Sequence, residues 1–218
     1  MLTYRLVIFD FDGTLADSRQ GILDCMNETF ERFGDDKPTA ERITVNIGLP
    51  LEEAIADLAP DLNRQQVEER ASFYRKIYSE KGMEKVEAMQ GVEILLERLA
   101  GAGVRMALVS NKRDDVLQAC IEKLGWKHYF GFAGGVLEDG IAKPNPAFRI
   151  EEMRRTFQDV EAAEILMVGD TKEDMLYARN LGVDACLALY GYGRSAQARI
   201  EAPDFEVRTP EELESVIL

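Results

Sequence analysis

The stretch Val7-Ile8-Phe9-Asp10-Phe11-Asp12-Gly13-Thr14-Leu15 constrains this chain more than any other. Leu6 to Phe9 is a short apolar run ending in an acid, the pattern of a buried strand in a parallel sheet covered on both faces. Open α/β sheets bind ligands just beyond the carboxyl ends of their strands, which is where Asp10 falls. Asp12 follows two residues later, so both carboxylates point to one side while the backbone stays extended. An acid after a strand is also a common turn residue or helix cap, so the motif alone leaves two readings open. A calcium loop is not one of them. The twelfth position counted from Asp10 is Gly21, where an EF-hand requires a bidentate glutamate.

Downstream of the motif the apolar spacing becomes helical. Ile22, Met26, Thr29, Phe30 and Phe33 predict a helix over 21–33, with Gly34 at its stop position. Pro38-Thr39-Ala40 opens a second short helix. Pro50 starts a third, with Glu52 and Glu53 in its first turn. Asn63 caps a long polar helix running to about Lys81. From Gly91 onward, helices over 91–100, 114–124, 147–157 and 172–180 alternate with strands over 104–109, 129–133, 165–168 and 185–189. Phe205–Val207 is a last strand and Pro210–Ile217 a closing helix. The alternation predicts an α/β fold with a Rossmann-like parallel sheet, built from residues 1–16 and 85–218. The purely helical stretch 17–84 is then an inserted module, joined by linkers at Ala16–Ser18 and Met83–Gln90.

Composition narrows the function. The 218 residues are 46% hydrophobic, enough for one core plus a small second one, and the formal net charge is −14. So acidic a chain has no basic stripe to neutralise a nucleic-acid backbone. Handling an anion therefore falls to individual lysines and a divalent cation. Cys25, Cys120 and Cys186 are scattered, with neither metal spacing nor a disulfide framework, and read as free thiols of a cytoplasmic protein. No run approaches the length of a membrane span. The expected state is a monomer or homodimer.

Four polar segments fall at element ends: Asp10/Asp12, Ser110-Asn111, Lys143-Pro144 and Gly169-Asp170 with Asp174. Singly they read as a turn, an N-cap, a surface turn and a strand-to-helix turn. In a parallel sheet the strand ends share one edge, so together they converge. Asp10-Phe11-Asp12-Gly13-Thr14-Leu15 resembles the first motif of the haloacid dehalogenase-like hydrolases, and the other three segments fit that family in order. The resemblance spans nearly the whole chain. Members with Asp at the second acidic position are mostly phosphatases and phosphotransferases, so the resemblance implies a small phosphorylated metabolite as partner.

Phosphoryl transfer needs an in-line nucleophile, a proton for the leaving oxygen and positive charge on the phosphoryl group. Asp10 fits the nucleophile, forming an aspartyl-phosphate. Asp12 fits the general acid, given neighbouring carboxylates to raise its pKa. Thr14, Ser110 and Asn111 offer hydroxyls and an amide to the phosphate, and Lys143 a fixed positive charge. An all-oxygen ligand set suits Mg²⁺. The resemblance implies Asp10, Asp170 and the backbone carbonyl of Asp12 as its ligands, with Asp174 outside them, holding Lys143 or a metal water. It also implies that the insert is a cap. Within it the loop Asn46–Glu52, with Gly48 at its centre, is expected to close over the substrate and leave little room beside it.

The rival activities fit less well. Phosphosugar mutases of this family carry a cap histidine soon after the first motif, where this chain has Ile22. Carbon–halogen hydrolases lack the second acid. A phosphonatase needs a cap lysine, for which Lys37, Lys76 and Lys81 stay open. A silent binding module would not need the full acidic set. Lone His128 reads as a surface or packing residue. Gly191-Tyr192-Gly193-Arg194-Ser195-Ala196 matches a dinucleotide fingerprint but lacks the helix, strand and acid that should follow, so it reads as a loop near the active-site edge.

Overall fold

The computed structural model describes residues 3–218; Met1 and Leu2, at the start of the predicted core segment 1–16, lie outside the described residues. β1 (Leu6–Phe9) is the axis of a six-stranded parallel sheet. It leads into a short strand β2 (Ala16–Asp17), which pairs antiparallel with β3 (Glu87–Ala88). On one side β1 pairs with β4 (Arg105–Arg113), and β5 (Phe132–Val136) lies beyond it. On the other side come β6 (Ile165–Gly169), β7 (Asp184–Ala188) and β8 (Phe205–Val207). The chain thus builds outward from β1 in one direction and returns to build in the other. Asp10 stands at that switch point, where such sheets form a crevice.

Strand alternation divides the core in two. Val7 and Phe9 point into the larger cluster and Leu6 and Ile8 into the smaller. Helices α1 (Arg19–Phe33), α2 (Ala40–Thr44), α3 (Leu51–Leu58) and α4 (Arg64–Ile77) form the insert between β2 and β3. Thr39 caps α2 and Asn63 caps α4 through a full capping box with Gln66, which is why these polar helices start where they do. A single π-helical turn, Tyr78–Gly82, follows α4. The larger cluster is closed by α5 (Val92–Gly101) and α6 (Asp114–Lys123). The smaller is closed by α7 (Ile150–Thr156), α8 (Lys172–Leu181) and α9 (Ser195–Ala198), and α10 (Pro210–Ile217) returns to the larger. Among the described residues no helix is long and apolar enough to cross a membrane.

Four local expectations are corrected. The two linkers are not separate: Ala16 pairs with Ala88 and Asp17 with Glu87, so both connections pass through one ribbon. Ser110-Asn111 is not a helix cap. β4 continues to Arg113 through an irregularity after Val109, and such bulges re-aim side chains beside sites. β5 includes Gly134 and Gly135 rather than ending before them. A Cβ at Gly135 would stand 2.4 Å from the Lys112 carbonyl oxygen, so only glycine lets the two strands meet here. The predicted helix at 147–157 begins only at Ile150, several residues after Lys143-Pro144.

Candidate active site

Asp10 leaves the sheet with its backbone N–H still bonded to the Val168 carbonyl at 2.9 Å, so β6 fixes its position. Its side chain is 3% exposed. Oδ1 accepts from Lys143 Nζ at 2.6 Å, while Oδ2 is buried without any hydrogen-bond partner. Burial pushes this carboxyl well above the usual carboxylate range; Lys143 pulls it back, and the Asp174 and Asp170 charges add to the rise.

Lys143 sits between two carboxylates, donating also to Asp174 Oδ1 at 2.5 Å. Burial works against its charge, but Asp10 and Asp174 outweigh burial and hold the ammonium above the lysine range. Asp174 is oriented by helix geometry. It is the third residue of α8, and its Oδ2 accepts from the Thr171 N–H at 3.0 Å and the Thr171 hydroxyl at 2.6 Å in a capping box. The other end of Lys143 is held by Asn111, whose Oδ1 accepts from the Lys143 N–H at 2.8 Å.

Asp170 follows β6 as Asp10 follows β1. Its Oδ2 accepts from the N–H groups of Tyr192 at 2.7 Å and Gly193 at 2.9 Å, and Oδ1 from the Thr14 hydroxyl at 3.2 Å. Burial and the Asp174 charge still push its pKa up to about 7, against those three bonds. The Gly191–Arg194 loop therefore lies at the site, as expected of it, and supplies backbone donors.

Asp12 is met by an ammonium rather than by the carboxylates expected around it. Its Oδ1 forms an ion pair with Lys112 Nζ at 3.0 Å and accepts from the Ser18 hydroxyl at 2.5 Å. No hydrogen bond reaches Oδ2 among the described residues. Lys112 was not foreseen as a site residue, nor was Ser18.

Of the predicted site residues, Asp10, Asp12, Ser110 and Asn111 line one cavity of about 870 Å³, together with Gly48 and other residues of the insert. Ser110 keeps its hydroxyl hydrogen free, accepting only from the Lys112 N–H at 3.2 Å. Thr14 and Asn111 are placed differently from the expectation of phosphate ligands. Thr14 is wholly buried behind Asp170, and the Asn111 amide donates to the carbonyls of Gly48 at 2.9 Å and Lys143 at 3.2 Å. Gly48 closes on the core rather than on open space. Its φ is +103°, and a Cβ there would stand 2.6 Å from Thr171 Cγ2. The cavity is also roomier than a tightly closed cap would leave, and its lining extends to Leu137 and Glu138. Asn46, though it lines the cavity, directs its amide to Asp57 Oδ2 at 2.8 Å. Lone His128 is exposed, with Nδ1 2.9 Å from the Gly125 carbonyl.

The donor set fits a hard divalent cation. Asp10, Asp170 and Asp174 each offer an oxygen within 4.8 Å of the others, and the buried Asp10 Oδ2 has no partner. Asp174 also holds Lys143 and Thr171, and Asp170 also accepts from Thr14, Tyr192 and Gly193.

The raised carboxyls give a testable pH dependence. A folded pKa above the unfolded 3.8 means the native state binds more protons than the unfolded chain between about pH 4 and 7. Metal-free protein should therefore lose stability as pH rises through that window. Asp170→Asn should flatten the decline, raise Tm in EDTA above pH 7, and abolish the Tm gain on adding Mg²⁺. Wild type and variant melting in parallel from pH 5 to 8 would contradict this.

Known proteins share this sequence pattern and fold. The sequence profile of the haloacid dehalogenase-like hydrolases matches residues 7–188. A phosphoglycolate phosphatase from Vibrio parahaemolyticus is 30% identical, over 98% of this chain and 96% of its own. A phosphoglycolate phosphatase from Aquifex aeolicus is 28% identical over 96% of this chain and 94% of its own. A haloacid dehalogenase-like family hydrolase from Streptococcus pneumoniae superposes with a TM-score of 0.88 at 29% identity, covering 98% of each chain. With the profile covering both acids of the first motif and every strand to β7, this chain belongs to the haloacid dehalogenase-like hydrolases.

Proposed function

We propose that this phosphatase hydrolyses a small phosphomonoester of the phosphoglycolate kind through a phosphoaspartate on Asp10. The observation that carries the reading is Asp10 Oδ2: a buried carboxylate oxygen without a partner, on a cavity-lining strand end, beside a second acid. A carboxylate left unsatisfied in this way is costly unless a ligand or ion completes it.

In the first step Asp10 Oδ2 attacks phosphorus and the bond from phosphorus to the ester oxygen breaks. Asp12 Oδ2 gives the departing oxygen a proton. Lys143, through Oδ1, holds the Asp10 carboxylate in the attacking orientation and keeps its charge near the phosphoryl group. The free Ser110 hydroxyl donates to a phosphoryl oxygen. In the second step Asp12 takes a proton from water, which attacks the phosphoaspartate, frees phosphate and restores Asp10. Mg²⁺ on Asp10, Asp170 and the Asp12 carbonyl would neutralise charge between the two approaching anions. Residues 17–84 act as the cap, with the Gly48 loop latched to the core through Asn111.

Phosphate release from a panel of phosphoglycolate, sugar phosphates, nucleotides and pyrophosphate tests the reading. Activity is expected on small esters, lost in EDTA and restored by Mg²⁺. Full activity after chelation would overturn the metal's part, and no release from any compound would overturn the phosphatase.

A further inference from the structure

We propose that Lys112 is a specificity-determining residue that binds a second anionic group on the substrate, placed next to the ester oxygen. The inference rests on the phosphatase reading above and adds the class of leaving group.

Lys112 lies in the irregular end of β4, with 9% of its side chain exposed, and is one of the residues lining the cavity. Its Nζ pairs with Asp12 Oδ1 at 3.0 Å and donates a hydrogen bond to the Tyr78 hydroxyl at 3.3 Å. No further polar partner meets it among the described residues. Nζ also sits 4.8 Å from the Tyr78 ring centroid and 5.9 Å from that of Phe11, so aromatic faces from insert and core hold it in place.

Its position separates it from Lys143. Lys143 is behind Asp10 and serves the phosphoryl end. Lys112 touches the acid that meets the leaving oxygen and so stands at the leaving-group end. The other cations of the cavity wall pair away from the catalytic acids: Arg75 with Glu52 and Glu68, and Arg113 with Asp115. The wall beneath the insert is largely apolar, with Ile22, Met26, Ile43 and Ile47. A leaving group with one anion thus meets the Lys112 ammonium beside Asp12. Only an anion near the ester oxygen reaches it: a carboxylate on the carbon bonded to that oxygen, or a second phosphoryl group bonded to it directly.

The test compares kcat/KM of wild type, Lys112→Met and Lys112→Arg on four compounds. Two carry the adjacent anion, 2-phosphoglycolate and pyrophosphate; two do not, ethyl phosphate and p-nitrophenyl phosphate. Wild type is expected to prefer one of the anion-bearing compounds over ethyl phosphate, and which one identifies carboxylate or phosphoryl as the group read. Lys112→Met should shrink that preference by about 10–100-fold, the worth of a buried charge-assisted hydrogen bond. Lys112→Arg should restore part of it. Equal losses on all four compounds would overturn the proposal and make Lys112 a positioning residue for Asp12. Turnover of the uncharged esters without any preference would overturn it too, while leaving the phosphatase reading intact. Should nothing be hydrolysed, calorimetric binding of 2-phosphoglycolate and ethyl phosphate decides: equal affinities for wild type, or a ratio unchanged by Lys112→Met, would overturn the inference.

Discussion

Asp10→Asn is expected to leave the protein folded and to remove phosphate release by about 10⁴-fold or more, the scale of losing a covalent nucleophile. The amide oxygen can still accept from Lys143, so the Lys143–Asp174 contact stays in place. The change also removes a carboxyl whose ionisation burial opposes, so metal-free Tm at neutral pH should stay level or rise. Loss of activity together with loss of fold would point to a structural part for Asp10. Near-wild-type turnover on any substrate would remove it from the chemistry.

Lys143→Met should have the largest effect on stability. The methionine fits the apolar stem but leaves Asp10 and Asp174 facing each other without the cation between them. Removing one partner of a buried charge group typically costs about 3–5 kcal/mol, because the remaining charge stays buried and unpaired. The cost should fall as pH is lowered and protonation of Asp10 relieves the repulsion, and fall again in Lys143→Met/Asp174→Asn. Chemical denaturation at pH 5 and pH 8 reads both effects. A cost independent of pH would show that packing, not charge, is what Lys143 provides. Activity should be lost in either background.

Much of the fold could be read from residue pattern because each main element carried its own signal. β1 is an apolar run closed by an acid, α4 starts at an Asn with Gln three residues on, and α10 starts at Pro210. The β2–β3 ribbon gave no signal, since two residues per strand cannot show an alternation. Gly134 and Gly135 resemble a turn, and only the neighbouring Lys112 carbonyl reveals why they belong to a strand.

The site was legible as a set of positions but not as a set of partnerships. A polar residue at a strand end can serve a ligand or a neighbour, and residue type does not distinguish them. Thr14 serves Asp170, and Asn111 serves Lys143 and Gly48. Lys112 was within reach of sequence reasoning. It directly follows Ser110-Asn111, at a strand end already singled out for the site. Ser18 was overlooked because it was assigned to a linker, where its hydroxyl in fact meets Asp12.

The most direct test of the account is to capture the phosphoryl group on the protein. The enzyme is mixed with substrate and Mg²⁺, quenched within the first turnover, reduced with borohydride and digested. Reduction of an acyl phosphate converts the aspartate to homoserine. The account predicts homoserine at position 10 in wild type and none there in Asp10→Asn. Homoserine at another position, or none anywhere while phosphate is being released, would contradict it.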